Sequence, residues 1–492
     1  MKYLLSLDSG TTSCRASLFT TSGKKIMSAC RVLTCFYPKH DCVNQDPMEI
    51  YIAALDCINE VFVKMNITAK DVIGLGITNQ RETTLLVDKN TMLPLTEAIV
   101  WQSNETSFLL KQYEPYKEVI SQLSGLPLSP YFSSTKIRFL LDKYDLQEKA
   151  ENGDVLFCTI DTWLIYKLTD GEVFATDVTN ACRTQLVNIN TGDYDKELLK
   201  IFNIPLRMLP EIRNSTDSFG ITKKFSYGNI EICGVAGDQQ SALLGHGINE
   251  LGGIKVTYGT GLFCLLHTGN RLYRSNNGLL STIALKHEGK LYYALEGSVF
   301  IGGAAVQWLR DNLNLIEKSS DTKICAEKST DDEIYFVPSF NGLGTPYWDD
   351  KCKGAFLGLS RGTDKNDMCK AVLQGIAFQA CDVLNAMKED TGITDYKLFV
   401  DGGAASNDYM MQFQSDILNA TLFRKEEIEI TSLGAAVLVG LNKGIFKLNN
   451  LSFLNNKSKI FITNMKEELR QKKIDRYHRA VEAVRLFSSN EN

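Results

Sequence analysis

Residues 3–20 read Tyr-Leu-Leu-Ser-Leu-Asp-Ser-Gly-Thr-Thr-Ser-Cys-Arg-Ala-Ser-Leu-Phe-Thr: an apolar run, a turn of small residues, and a second apolar run. Residues 3–7 read as a strand, 8–12 as a tight turn and 15–20 as a returning strand, so the stretch is a hairpin. The form returns later in the chain: 253–257 is strand-like, Tyr258-Gly259-Thr260-Gly261 is a turn, and 262–267 is strand-like again. A chain that repeats strand, small-residue turn and strand folds as two α/β halves. We place their boundary near 245–252, giving 1–247 and 248–492.

Around the two hairpins the pattern is that of alternating strands and helices. Residues 48–65 have helical spacing, and 72–77 form a strand running into Thr78-Asn79-Gln80-Arg81-Glu82. Residues 230–236 form a strand entering Gly237-Asp238, with helical spacing over 239–244. Residues 397–400 form a buried strand closed by Asp401-Gly402-Gly403-Ala404, followed by a helix over 408–418. Turns at the ends of buried strands are where α/β sheets bind ligands. The charge run 327–333 reads as a solvated loop and 449–459 as a polar surface insertion. Residues 465–487 read as a terminal helix with its basic residues outward.

The whole chain has 492 residues, enough for two to four domains. Its 53 basic and 58 acidic side chains leave a net charge of −5, which gives no global pull toward nucleic acid or acidic lipid. The 13 cysteines contain no C-x-x-C and read as buried, reduced thiols. The five histidines show no zinc spacing. No apolar run is long enough to span a bilayer. The expectation is a cytoplasmic protein without a membrane span.

Several signatures are absent: there is no P-loop, no complete G-x-G-x-x-G, and no H-R-D or D-F-G. Gly358-Leu359-Ser360-Arg361-Gly362 matches G-x-S-x-G, but residues 362–367 delay the helix that a nucleophile elbow needs, so it reads as a turn. Asp8-Ser9-Gly10-Thr11-Thr12-Ser13 suits an anion nest, with Asp8 able to hold hydrated Mg²⁺ and Arg15 able to return to a phosphate. An ordinary hairpin turn is the plain alternative. Arg81 and Glu82 are either an exposed ion pair or a polyol clamp, arginine donating to hydroxyl oxygen and glutamate accepting from hydroxyl hydrogen. Neighbouring strand residues point to opposite faces, so a local pair is not forced. Asp238 is either a helix N-cap or a general base for an alcohol attacking phosphorus.

Taken together, these residues resemble the FGGY carbohydrate kinases, and within them the members that phosphorylate glycerol. The resemblance runs in order through 7–15, 76–84 (Gly-Ile-Thr-Asn-Gln-Arg-Glu-Thr-Thr), 98–102, 130–136, 177–184, 234–245, 257–263, 296–311, 341–349 and 401–418. It implies an α/β fold of two ribonuclease-H-like (actin/hexokinase-like) domains flanking a deep interdomain cleft. It implies ATP-dependent phosphorylation of glycerol to sn-glycerol 3-phosphate, with Mg²⁺, and a homodimer or homotetramer. By motif, Arg81, Glu82, Tyr131, Asp238 and Gln239 would hold glycerol, with Thr11 nearby and Trp101 and Phe263 as walls; Asp238 would be the base. Asp8 and Asp238 would bracket Mg²⁺. Thr11, Thr12, Ser13, Arg15 and Thr260 would touch phosphates, and Gly303, Gln307, Gly403 and Asn407 would line the nucleotide site. One departure follows Trp101-Gln102, where Ser103-Asn104-Glu105-Thr106 stands in place of the usual arginine before threonine. The alternatives are a kinase for another polyol or ketose of the family, and an ATP-gated binding protein of the actin/Hsp70 type.

Overall fold

The computed structural model describes residues 2–489 apart from 40, 350, 427–428 and 456–457. The opening hairpin is Tyr3–Ser9 paired antiparallel with Ser13–Thr20, and Lys25–Val32 continues the meander. Val72–Asn79 and Ile232–Gly237 add in parallel on the other side, so the first sheet runs Ile232–Gly237, Val72–Asn79, Tyr3–Ser9, Ser13–Thr20, Lys25–Val32. The second hairpin, Gly253–Tyr258 with Leu262–His267, stands in a seven-stranded sheet. There Lys290–Val299 follows antiparallel, while Lys397–Asp401 and Leu422–Lys425 add in parallel. The five central strands of this sheet repeat the order of the first, and Leu280–His287 and Ser458–Phe461 extend its edges. The repeat expected from the two hairpins is thus a repeat of whole sheets.

Local chemistry accounts for the helices that cover them. Asp46 caps Pro47–Met65 by accepting from the Met48 N–H at 2.7 Å, with proline at the first turn, and Asn66 ends the helix in the left-handed region. Asp364 and Asp367 make a capping box for Lys365–Thr391, the long helix under the second sheet. Ser360 lies outside that helix in an exposed turn, as expected from the delayed helix start.

Helix Ile430–Asn442 follows the second sheet's parallel strands in the chain but packs on the first sheet, against Tyr3–Ser9, Val72–Asn79 and Ile232–Gly237. It also crosses helix Asp238–Gly245, where glycines permit backbone contact. A Cβ on Gly434 would sit 1.8 Å from the Ser241 carbonyl oxygen, and one on Gly245 would sit 2.0 Å from that of Ile430. This crossing ties Asp238's helix to the second half of the chain.

In the 327–333 run, Glu327 and Lys328 end helix Asp321–Lys328 and 329–333 form the expected, largely exposed loop, in which Asp332 pairs with Lys370 at 2.9 Å and Lys473 at 3.1 Å. Two expectations need correction. The 449–459 stretch is not a surface insertion. Leu451 is fully buried, Phe453 and Leu454 pack on the core beside it, and Ser458–Phe461 is an edge strand; Asn456 and Lys457 lie outside the described residues. In the terminal helix Arg470 and Lys473 are buried rather than outward. Arg470 Nε donates to the Asp416 carbonyl at 2.7 Å, so these stems pack while their charges find partners. No helix among the described residues is long and apolar enough to cross a membrane.

Candidate functional site

The parallel strands of both sheets end toward one cleft. Ser9, Asn79 and Gly237 terminate the first sheet's strands, so Asp8, the Gln80-Arg81-Glu82 bend and Asp238 gather at its mouth. The strand stops at Asn79, and Glu82 takes a φ of 62°, a left-handed conformation that costs a side-chain-bearing residue about 1 kcal/mol or more. Alternation along a strand therefore does not apply to residues 81 and 82, and the bend turns both side chains inward.

They are not an exposed pair. Arg81 makes a two-pronged contact with Glu296 (Nη1–Oε2 2.7 Å, Nη2–Oε1 3.0 Å) and reaches Asp238 Oδ1 from Nε at 3.3 Å. Arg183 donates from Nε to Glu82 Oε1 at 2.5 Å and from Nη2 to Glu296 Oε1 at 3.1 Å. Arg81–Glu296–Arg183–Glu82 is thus a closed chain of alternating charges, and none of its side chains is more than 2% exposed. Glu296 comes from Lys290–Val299 of the second sheet, so the box joins the two halves.

The electrostatics follow from the packing. Burial works against the Arg81 charge, but Glu296, Glu82 and Asp238 outweigh it and hold the guanidinium above its ordinary range. Burial would raise the Glu296 carboxyl, yet Arg183 and Arg81 bring it down to about 2. Glu82 stays above the usual carboxylate range because burial and repulsion by Glu296 exceed the pull of the two arginines.

Three aromatic rings from distant segments wall this polar floor. Trp101 stands edge-on to Tyr131 at 5.7 Å and to Phe263 at 5.9 Å between ring centroids. The indole N–H of Trp101 donates to Thr11 Oγ1 at 2.9 Å, and Thr11 passes its own proton to Gln80 Oε1 at 3.2 Å. The Thr11 hydroxyl is therefore committed to holding the wall. The Arg183 guanidinium stacks over Tyr131 at 5.6 Å, and Lys136 donates to the Tyr131 carbonyl at 2.5 Å, which fixes that segment. In the departing loop, Ser103 Oγ accepts from the Val43 N–H at 3.2 Å and Thr106 bonds Thr135 at 2.9 Å, so it is a buried staple.

Asp238 caps the mouth. Its side chain is 31% exposed, against 2% or less for the four charges of the box. Gln239 donates its amide to Asp238 Oδ2 at 3.2 Å, and the buried Lys255 of the second sheet donates to Gln239 in turn. Asp8, at a strand end two places across the sheet, has its pKa raised to about 7 by burial and by the charges of Asp238 and Glu429. Two carboxylates whose proximity raises one of them are a fitting pair for a divalent cation, which would relieve that repulsion. Among the described residues no group of three or more such ligands exists, so a cation here keeps much of its water.

The remaining expected residues divide between the hairpin turns and the second half. Thr12 and Thr260 are exposed at the two turns, with Ser13 half-buried beside Thr12, and Arg15 pairs with Glu429 at 2.6 Å. The Gly259 and Thr260 carbonyls accept from the N–H groups of Gly303 (2.8 Å) and of Gly302 and Ala304 (2.7 and 3.1 Å), so the start of helix Gly303–Asp311 is capped by the hairpin turn. The Gly303 N–H is thus committed to the hairpin turn. Gln307 is exposed on that helix, and a Cβ on Gly403 would find open space. Asn407 spends its amide on a helix cap, accepting from the Met410 N–H at 3.1 Å and donating to Thr322 at 3.1 Å. Reading by residue missed Glu296 and Arg183; both lie inside matched motifs, but nothing in their neighbours announces a charge partner.

Residues 3–245 match the N-terminal domain, and 254–442 the C-terminal domain, of the FGGY family of carbohydrate kinases. The chain is 48% identical to a protein named glycerol kinase from Fusobacterium nucleatum, covering 99% of this chain and 100% of that one. It is 46% identical to one of the same name from Lactococcus lactis, with 99% of each covered. Among solved structures, glycerol kinase of Plasmodium falciparum with ADP superposes with a TM-score of 0.92 at 35% identity, over 98% of each chain.

Proposed function

The chain belongs to the FGGY family of carbohydrate kinases, and on that footing we propose that it transfers the terminal phosphoryl group of ATP to glycerol, giving sn-glycerol 3-phosphate and ADP. The observation that carries the reading is the placement of Asp238: a part-open carboxylate beside the buried box, held by Arg81 and Gln239, with the three rings gathered at the same site. Glycerol has three hydroxyls and little apolar surface, and the cleft offers matching partners. Of the five guanidinium hydrogens of Arg81, three are hydrogen-bonded to Glu296 and Gln240 and Nε faces Asp238 at 3.3 Å, which leaves one on Nη2 for a hydroxyl oxygen. Glu82 spends Oε1 on Arg183 and keeps Oε2 for a hydroxyl hydrogen. The rings of Trp101, Tyr131 and Phe263 cover the carbon side.

In the reaction Asp238 accepts the proton of the attacking hydroxyl as its oxygen approaches phosphorus, which relieves the weak nucleophilicity of a free alcohol. Thr12, Ser13 and Arg15 from one turn and Thr260 from the other would meet the phosphates, with Gln307, Gly303, Gly403 and Asn407 on the nucleotide side. Asp8 and Asp238 would hold Mg²⁺, which when bound neutralises phosphate charge. Interdomain closure on the substrate would align glycerol in line and exclude water, the competing nucleophile. The family reading also carries a cytoplasmic location and a homodimeric or homotetrameric state, which fractionation and sedimentation would check.

The direct test is ATP consumption measured with and without glycerol, and against a panel of larger polyols and ketoses. Turnover indifferent to glycerol, or faster on a larger sugar, overturns the assignment. Arg81→Lys replaces a directed fork with a point charge, so the glycerol KM should rise on the order of tenfold or more, with the ATP KM little changed. Steady-state kinetics on both substrates would show it; an unchanged glycerol KM removes the clamp.

Asp8→Asn should abolish most turnover and yet stabilise the ligand-free protein. A carboxyl whose native pKa is raised to about 7 binds more protons folded than unfolded between pH 4 and 7, so stability falls as pH rises through that window. Asparagine escapes the penalty. The variant should match wild type near pH 4 and exceed it by on the order of 2 kcal/mol above pH 7. Denaturant unfolding at the two pH values checks the sign.

A further inference from the structure

The turn Val178–Ala181, capped by Asp177, lies outside every role given so far, yet its side chains reach both strand ends that carry the chemistry. Asp177 is fully buried, and its carboxylate accepts five hydrogen bonds. Oδ1 takes the Thr179 hydroxyl (2.9 Å), the Asn180 N–H (3.0 Å) and the Asn180 amide (3.0 Å). Oδ2 takes the Thr179 N–H (2.9 Å) and the Ser215 hydroxyl (2.7 Å). A helix cap needs only the two backbone contacts. The other three lock the side chains of Thr179, Asn180 and Ser215.

Those locked side chains point outward to the site. With its proton spent on Asp177, the Thr179 oxygen accepts the N–H of Gly237 at 2.9 Å, and Gly237 precedes Asp238. Asn180 exchanges amide hydrogen bonds with Asn79 in both directions, at 3.0 and 3.1 Å, and Asn79 also donates to the Gln80 carbonyl at 2.8 Å. Asn79 is the last residue of its strand, two before Arg81. All of these groups are buried, so water does not compete for them.

We infer that this turn is a positioning device with two separable arms: Thr179 sets the strand end that presents Asp238, and Asn180 sets the bend that presents Arg81. The inference rests on the phosphoryl-transfer reading above. Asp177 acts through both arms and touches no substrate. Because the arms end on groups with different tasks, they predict different kinetic losses. Thr179→Val keeps the shape and removes the acceptor for Gly237 N–H. The expected result is a kcat lowered about tenfold, with the glycerol and ATP KM within about twofold of wild type. Thr179→Ser keeps the oxygen and should restore kcat to within about twofold. Asn180→Ala should instead raise the glycerol KM about tenfold, more than it lowers kcat.

Steady-state kinetics on the full chain, with thermal melts of each variant, decide the matter. A Thr179→Val enzyme with normal kcat, a Thr179→Ser enzyme as slow as the valine variant, or kcat and KM losses in the same proportion for both arms would overturn the inference. If Asn180→Ala does not fold, the valine–serine pair decides alone. Wild type measured alongside separates the two levels. Absent glycerol-dependent turnover in wild type overturns the substrate reading and this inference with it. Normal wild-type turnover with an indifferent Thr179→Val overturns this inference only.

Discussion

Asp238→Asn should lower kcat by about 10²–10⁴-fold, the usual cost of a lost acid–base group, with the KM of glycerol and of ATP changed only a few-fold. The substitution keeps the shape of the side chain: its one amide oxygen can still accept from the Gln239 backbone N–H and face Arg81, while the amide nitrogen in place of Oδ2 gives up only the 3.2 Å contact with the Gln239 side chain. What it removes is the negative charge and the capacity to take a proton. The side chain is part-open to the cleft, so no buried cation is orphaned and the melting temperature should stay within a few degrees. Single-turnover kinetics with saturating ATP and glycerol isolate the chemical step. Turnover near wild type would remove Asp238 as the base, whatever its place in the cleft.

Glu296→Ala should cost about 3–5 kcal/mol of folding stability, because it strips the shared carboxylate from two guanidiniums that water cannot reach. Arg81 would lose both prongs of its fork and Arg183 one of its two contacts. The sign with pH is definite. The Glu296 carboxyl sits near 2 in the folded protein, so its contribution is complete above the ordinary glutamate pKa and fades as pH falls from about 4.5 toward 2. Urea unfolding at pH 7 measures the loss, and the wild-type advantage should shrink on acidification below pH 4. Glycerol affinity should fall with it, since the Arg81 fork is aimed by Glu296. A variant with wild-type stability at pH 7 would show that the box is not a fixed unit.

Much of the architecture was legible in residue order. The hairpins at residues 3–20 and 253–267 announced two similar sheets because strand, small-residue turn and strand are local patterns. Asp8, Asp238 and the Gln80-Arg81-Glu82 stretch were found for a related reason: each ends an apolar strand, and strand ends are where parallel sheets expose backbone and side chains. The resemblance added the aromatic wall, whose members Trp101, Tyr131 and Phe263 have no periodicity in common.

Pairing across the fold was not legible. Arg81 meets Glu296 215 residues away, and Arg183 meets Glu82 and the same Glu296 at 101 and 113 residues' remove. Nothing in the residues around Glu296 distinguishes it from an exposed strand glutamate; only the seating of Lys290–Val299 against the first half makes it the centre of a charge box. The same holds for Arg470 and Lys473, basic on a helix that looks solvent-facing yet buried where other segments converge. Helix Ile430–Asn442 likewise joins the first sheet because glycines at 76 and 234 let its backbone approach closely, a fit between surfaces far apart in the chain. Local propensity and turn chemistry are written within a few neighbours. Charge partners, burial and helix crossings are set by which distant surfaces meet, and they exist only once the two sheets have formed and closed on one another.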